Sequence, residues 1–100
     1  MLFRSLEGMG LAERGRAAAF VREAGGTLTS AFPINTGGGQ LSAGQCGASG
    51  GMIGVYETVL QLRGEAGARQ VKCERGVVSG YGAVSYGRGP SASACILGRA

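Results

Sequence analysis

Apolar positions along this chain form one long helical pattern with weaker signals on either side. Over residues 51–63, Met52, Val55, Tyr56, Val59, Leu60 and Leu62 recur at the spacing of a helix face, and Ile53 widens it. Apolar side chains cover so much of the circumference that the pattern predicts a largely buried helix. Gly64 is a natural stop, because glycine readily takes the left-handed conformation that ends helices, and Arg63 suits the negative end of the helix dipole. Residues 76–79 and 91–97 are β-branched or alternating and predict two strands, with a Gly/Tyr-rich segment, 80–90, between them. A helix placed between apolar strands predicts a layered α/β arrangement.

The signals nearer the start are weaker. Residues 2–14 fit a short helix or turn that Gly8 and Gly10 weaken, and the run 17–23 is ambiguous before the Gly25-Gly26 break. Residues 27–32 alternate as a strand does, with Pro33 interrupting any ladder there. Residues 35–51 are rich in glycine and read as an extended loop of functional character, and residues 65–75 read as a polar link. A length of 100 residues allows one small domain at most, and neither an internal repeat nor an inter-domain linker is visible.

Composition narrows the chemistry. With 21 glycines and no Trp, the chain suits close approach of backbone layers better than a bulky independent core. It contains no His and no Asp, which excludes histidine acid–base chemistry and any Ser-His-Asp triad within these residues. Three cysteines and scattered glutamates follow no metal-ligand spacing, so no metal site is expected. The net charge of +4 is spread along the chain without a basic run or interleaved aromatics, which fits solvated surface charge rather than a nucleic-acid interface. Cys46, Cys73 and Cys95 are odd in number and read as reduced thiols; with no signal peptide and no membrane-spanning apolar stretch visible, a cytoplasmic location is expected. The Gly37-Gly38-Gly39 run lacks the Gly-Lys-[Ser/Thr] ending of a phosphate loop.

The segment from Asn35 to Gly51 resembles the C-terminal signature of thiolases, Asn-Pro-x-Gly-Gly-x-Leu-x-x-Gly-His-Pro-x-Gly-x-[Ser/Thr]-Gly. It aligns without a gap: Asn35, Gly38, Gly39, Leu41, Gly44 and Gly51 match, while Thr36, Gln45, Cys46 and Ala48 depart. The helix ending Leu60-Gln61-Leu62-Arg63-Gly64 is also what that family places after the loop. Upstream, residues 10–20 look like the Gly-Phe-Cys-x-x-Gly-Glu-Gly-Gly-x-Phe stretch of the sterol-carrier-protein-x branch, with Ala12 at its Cys position, and Phe32-Pro33-Ile34-Asn35-Thr36 is similar to that branch too. Downstream, residues 77–82 sit where thiolases carry a strand ending in Cys-x-Gly or a His variant, and Ser79 or Gly80 occupies the reactive position.

The resemblance implies the C-terminal part of a layered α/β/α fold, with a mixed sheet and a buried helix, over residues 1–100. It implies acyl transfer, or carbon–carbon bond formation or cleavage, on coenzyme A thioesters as substrates, with no permanently bound cofactor. The family's cysteine nucleophile lies in an N-terminal half, so these residues are expected to act only when completed by that half. Met1 falls inside the family pattern, which implies truncation or a split subunit. Catalytic positions carried over are Gln45, at the active-site histidine, and Ser79 and Gly80, at the terminal Cys or His. Substrate-binding positions are Asn35, Gly38, Gly39, Gly44, Tyr81 and Gly82. Expected partners are the acyl-CoA substrate, a thiolase-type dimer or split-subunit mate, and a small OB-fold protein that works beside relatives of this branch; no nucleic acid or membrane partner is expected.

Several positions carry alternative readings. Gln45 donates hydrogen bonds but accepts no proton from a thiol, so it reads equally as a surviving oxyanion donor or as a polar loop residue of an inactive relative. The whole chain reads alternatively as a non-catalytic assembly or lipid-binding module derived from a thiolase. Cys46 and Cys95 are expected to pack as small residues, the latter within a strand core, and Tyr81 and Tyr86 to line substrate or serve structure.

Overall fold

Short apolar runs separated by glycine give short elements. The computed structural model describes residues 2–82, 86–87 and 91–100, in two compact units, Met1–Ile34 and Asn35–Ala100. Met1, and residues 83–85 and 88–90 of the segment expected to link the two strands, lie outside the described residues.

In the first unit, Leu2–Gly8 forms α1 and Ala17–Ala24 forms α2, so the ambiguous run is helical. Leu6 and Ala17 are buried. The Glu7 carboxylate accepts the Ala17 N–H at 3.3 Å, a favourable place for negative charge at the start of α2. The strand expected over residues 27–32 does not form. Instead, the Ser30 N–H and hydroxyl both donate to the Thr27 carbonyl, at 3.2 and 2.7 Å, and close a turn. The Phe32 N–H then returns to the Ala24 carbonyl at 3.2 Å, and its ring meets Phe20 edge-on with centroids 5.1 Å apart. A hydroxyl that satisfies a local carbonyl competes with a sheet ladder, and the aromatic pair provides the burial that a strand face would have offered.

In the second unit the glycine-rich segment is not wholly loop. It contains α3, Gly39–Ala43, and a 3-10 turn, Gly47–Gly51, that runs directly into α4, Met52–Arg63. Gly64 ends α4 as expected: it lies at φ 76°, its N–H donates to the Gln61 carbonyl, and the Glu65 N–H donates to Leu60. That is a Schellman motif, which satisfies carbonyls the helix leaves unpaired. The polar link contains a second 3-10 turn, Gly67–Arg69. Two strands follow, β1 at Arg75–Tyr81 and β2 at Ala92–Gly98. They pair antiparallel from Arg75 opposite Gly98 to Tyr81 opposite Ala92. The unit is therefore a mixed α/β arrangement of helices and a two-stranded antiparallel sheet.

Contact between α4 and the sheet depends on glycines on both sides. A Cβ on Gly54 of α4 would lie 3.0 Å from Val78 Cγ1 of β1, and one on Gly76 of β1 would collide with Thr58 Cγ2 of α4. Each layer thus has a bare backbone position where the other projects a branched side chain, and the layers interlock closely. Coverage is incomplete, however. Leu62 and Gln61 are buried on α4, whereas Met52, Tyr56 and Val59 are exposed, so the apolar pattern wraps further round the helix than the structure covers. Cys95, expected in a strand core, is exposed for the same reason: α4 packs chiefly over β1 and leaves β2 open. Among the described residues no helix is long and apolar enough to cross a membrane.

The interlock is testable. Gly76→Ala should destabilise the protein by about 1–3 kcal/mol, the usual cost of overpacking, because its Cβ would collide with Thr58. Gly54→Ala should cost much less, since its nearest neighbour lies at 3.0 Å and alanine gains about 1 kcal/mol of helix propensity over glycine within α4. Denaturant titrations of the two variants against the native chain check this, and a wild-type midpoint for Gly76→Ala would show that the layers have room to spare.

Candidate functional site

The segment 35–51 is built as two turns around α3. Asn35 takes φ 50°, a left-handed conformation that Asn tolerates better than most residues, and its carbonyl accepts the Gly38 N–H at 2.8 Å. Gly38, at φ 78°, turns the chain into α3, and the Asn35 side chain lies 3.8 Å from where a Cβ on Gly39 would be. The Gly44 N–H donates to the Gln40 carbonyl at 2.8 Å and ends α3. The structure therefore brings Asn35, Gly38 and Gly39 into one turn, with Gly44 at the far end of the same short helix.

Gln45 follows Gly44 and is exposed. Its Nε2 donates to Gln40 Oε1 at 3.1 Å. Both amides lie over Gly50, which is buried; a Cβ there would collide with Gln45 Oε1 and lie 3.1 Å from Gln40 Nε2. An amide has two N–H donors and a carbonyl acceptor but no proton that titrates in water. This corner of the loop can polarise a carbonyl oxygen and cannot deprotonate a thiol. Cys46, expected to pack, is exposed; its carbonyl accepts the Ser49 hydroxyl at 3.4 Å, so its backbone rather than its thiol is engaged by the turn.

The later positions lie on the hairpin. Ser79 and Gly80 are within β1, not at its end, opposite Ala94 and Ser93. Ser79 is exposed and Gly80 half-buried, as the alternation of strand faces requires. Tyr81 is the last residue of β1 and is 58% exposed, and the Gly82 N–H donates to the Ser91 carbonyl at 2.9 Å, one step beyond the strands. Tyr86 is fully exposed at φ 51°. The side-chain hydrogen bond of Gln45 goes to Gln40 in its own loop, and among the described residues no bond links it to Ser79 or Gly80.

A polar cluster beneath the loop was not anticipated. Glu57 on α4 receives Thr36 Oγ1 at 2.8 Å, Gln61 Nε2 at 3.0 Å, and Arg69 Nε at 3.0 and 2.9 Å, with Arg69 Nη2 at 2.9 Å. Gln61, itself buried, also donates to the Arg69 carbonyl and accepts the Val71 N–H, both at 2.8 Å. Gln70 accepts the Ala66 N–H at 3.0 Å and donates to the Gln61 carbonyl at 2.9 Å. The link 65–75 is thus tied to α4, and Thr36, which stands where the thiolase pattern has proline, ties the head of the loop to the same carboxylate. A signal for this was present: Glu57 is the one acid inside the apolar helix pattern.

The family model described as thiolase C-terminal domain-like matches residues 1–99, and the chain belongs to that family. No curated protein and no solved structure matches it.

Burial works to raise the Glu57 carboxyl, but hydrogen bonds from Gln61, Thr36 and Arg69 and the charge of Arg69 outweigh it and hold the group below its ordinary value of 4.5. A carboxyl depressed in the folded state contributes stability that is fully present above its ordinary value and lost as pH falls through the lower folded value. Glu57→Gln should cost about 1–2 kcal/mol at pH 7, the lower part of the range for bonds to charged groups, because Arg69 is 42% exposed and its charge is screened. The variant should also lose less stability than the native chain below about pH 5. Stability measured against pH checks this; parallel curves for the two proteins would show that Glu57 is not the group responsible.

Proposed function

We propose that this thiolase-domain chain forms the thioester-binding side of an acyl-CoA acyltransferase site, with the attacking cysteine supplied from outside these residues. The observation that carries the reading is the Gln45 amide, held by Gln40 over Gly50 in the loop that carries the family signature. Attack on a thioester develops negative charge on the carbonyl oxygen, and donors already aimed at that oxygen stabilise it without needing to titrate. Gln45 offers such a donor at the position where the signature has histidine. It cannot activate the nucleophile, so the base must come with the nucleophile.

The finer assignment to the sterol-carrier-protein-x branch draws on Phe32-Pro33-Ile34-Asn35-Thr36 and on the likeness of residues 10–20 to that branch. The three free cysteines suit a reducing compartment such as the cytoplasm. A second reading, a binding module without catalysis, is favoured by the absence of any titrating group in the hydrogen bonding of Gln45.

Calorimetric titration with acetyl-CoA, followed by a thiolysis assay with acetoacetyl-CoA in the presence and absence of a thiolase N-terminal half, separates these readings. The acyltransferase reading expects thioester binding, turnover only with the added half, and a loss of about 10²–10³ in turnover for Gln45→Ala, the usual effect of removing one oxyanion donor. Thioester binding with no turnover in the completed assembly favours the binding module. No thioester binding in either form rejects both.

A further inference from the structure

We infer that Gln40 is a positioning residue for Gln45, and that Gly50 leaves the space in which the two amides meet; the inference rests on the acyl-thioester reading proposed above. Gln45 is on an exposed turn after α3, where a side chain with three free torsions would sample many directions. One bond limits it: Gln45 Nε2 donates to Gln40 Oε1 at 3.1 Å. Because Gln40 lies on α3, whose last carbonyl bond is closed by Gly44, the acceptor is set on a hydrogen-bonded turn. An amide with one N–H engaged in this way has its second N–H left in a defined direction, available to a carbonyl oxygen.

Gly50 is the other half of the device. Carried on to position 50, the same ungapped alignment sets Gly50 against the Ser or Thr of the thiolase pattern, a further departure. A Cβ here would lie 3.0 Å from Gln45 Cδ and 3.1 Å from Gln40 Nε2 while colliding with Gln45 Oε1. The missing side chain at position 50 and the longer, flat amide at position 45 therefore fit together. Neither Gln40 nor Gly50 matches a specified residue of the signature. Their role follows from the contact between them and Gln45.

The test compares the full chain with Gln40→Ala and Gln40→Glu, each uniformly ¹⁵N-labelled. The Gln45 side-chain NH₂ signals, identified by their loss in Gln45→Ala, report the orientation of the amide, and acetyl-CoA titration reports binding. Gln40→Ala should move the Gln45 signals toward those of a free amide and weaken acetyl-CoA binding about three- to tenfold, as expected for a lost orienting hydrogen bond. Gln40→Glu retains an acceptor at the same place and should leave the Gln45 signals close to native. Because Gln40 is exposed, the backbone amide spectrum should otherwise be unchanged in both variants. Gln45 signals that do not move in Gln40→Ala overturn the inference whatever happens to binding. Signals that move while acetyl-CoA binding keeps its native strength overturn it as well. A native chain that binds no acetyl-CoA overturns the acyl-thioester reading itself, and the role of Gln40 in it, even where the Gln45 signals respond.

Discussion

A carboxylate that is mostly shielded from water must be given donors, and Glu57 obtains them from three different stretches of the chain. Thr36 comes from the head of the signature loop, Gln61 from one turn further along α4, and Arg69 from the 3-10 turn beyond it. Charge-assisted bonds of this kind are about twice as strong as neutral ones, and an unpaired charge at the same place would be costly. The carboxylate therefore selects the one arrangement in which all three stretches converge. Gln61 extends the constraint by bonding backbone groups at Arg69 and Val71, so the link after α4 is held as well as the loop before it.

The sheet is held to the same helix by a different force. Gly54 and Thr58 are one turn apart on α4 and face β1, whereas Glu57 and Gln61 form a neighbouring row about 60° round the helix. One row is joined by hydrogen bonds and the other by close steric fit with Gly76 and Val78. With Leu62 and Ala66 as the buried apolar side chains among the described residues of this unit, neither row rests on bulky burial. The glycine-rich composition and the polar network are complementary: small residues permit close approach, and directional bonds supply the specificity that large interlocking side chains provide elsewhere.

Much of this second unit was readable from periodicity alone, because α4, its glycine stop and the two strands each depend on local pattern. Two partners of Glu57, Arg69 and Thr36, were not readable, since they lie 12 and 21 residues away and hydrogen-bond choice leaves no period in a sequence. β1 runs on through Gly80 to Tyr81 because strand pairing is decided by the opposite strand, here Ser93 and Ala92, rather than by the propensity of glycine. The alternation in residues 27–32 misled for the converse reason: Ser30 satisfies the Thr27 carbonyl locally, and the turn takes the place of a ladder. Asn35, Gly38, Gly39 and Gly44 were singled out through the family signature, and the structure places them in the turns at the two ends of α3.

The departures from that signature are better understood together than one at a time. Thr36 replaces a proline that could not have donated a hydrogen bond to Glu57, and it does donate one. Gln45 replaces an imidazole, and Gly50 removes a side chain that would have struck the new amide. Two of these changes add a hydrogen bond, from Thr36 to Glu57 and from Gln45 to Gln40, and the third leaves the space that the Gln45 amide occupies. On the reading proposed above, a general base, a contribution of roughly 10²–10⁴ in rate, is what Gln45 cannot supply. What an aimed amide retains is a donor to developing oxyanion charge, a contribution of similar size that needs no titrating group. On the acyl-thioester reading proposed above, the loop grips and polarises the thioester and leaves proton transfer to residues elsewhere, the division of labour that an amide in place of an imidazole permits.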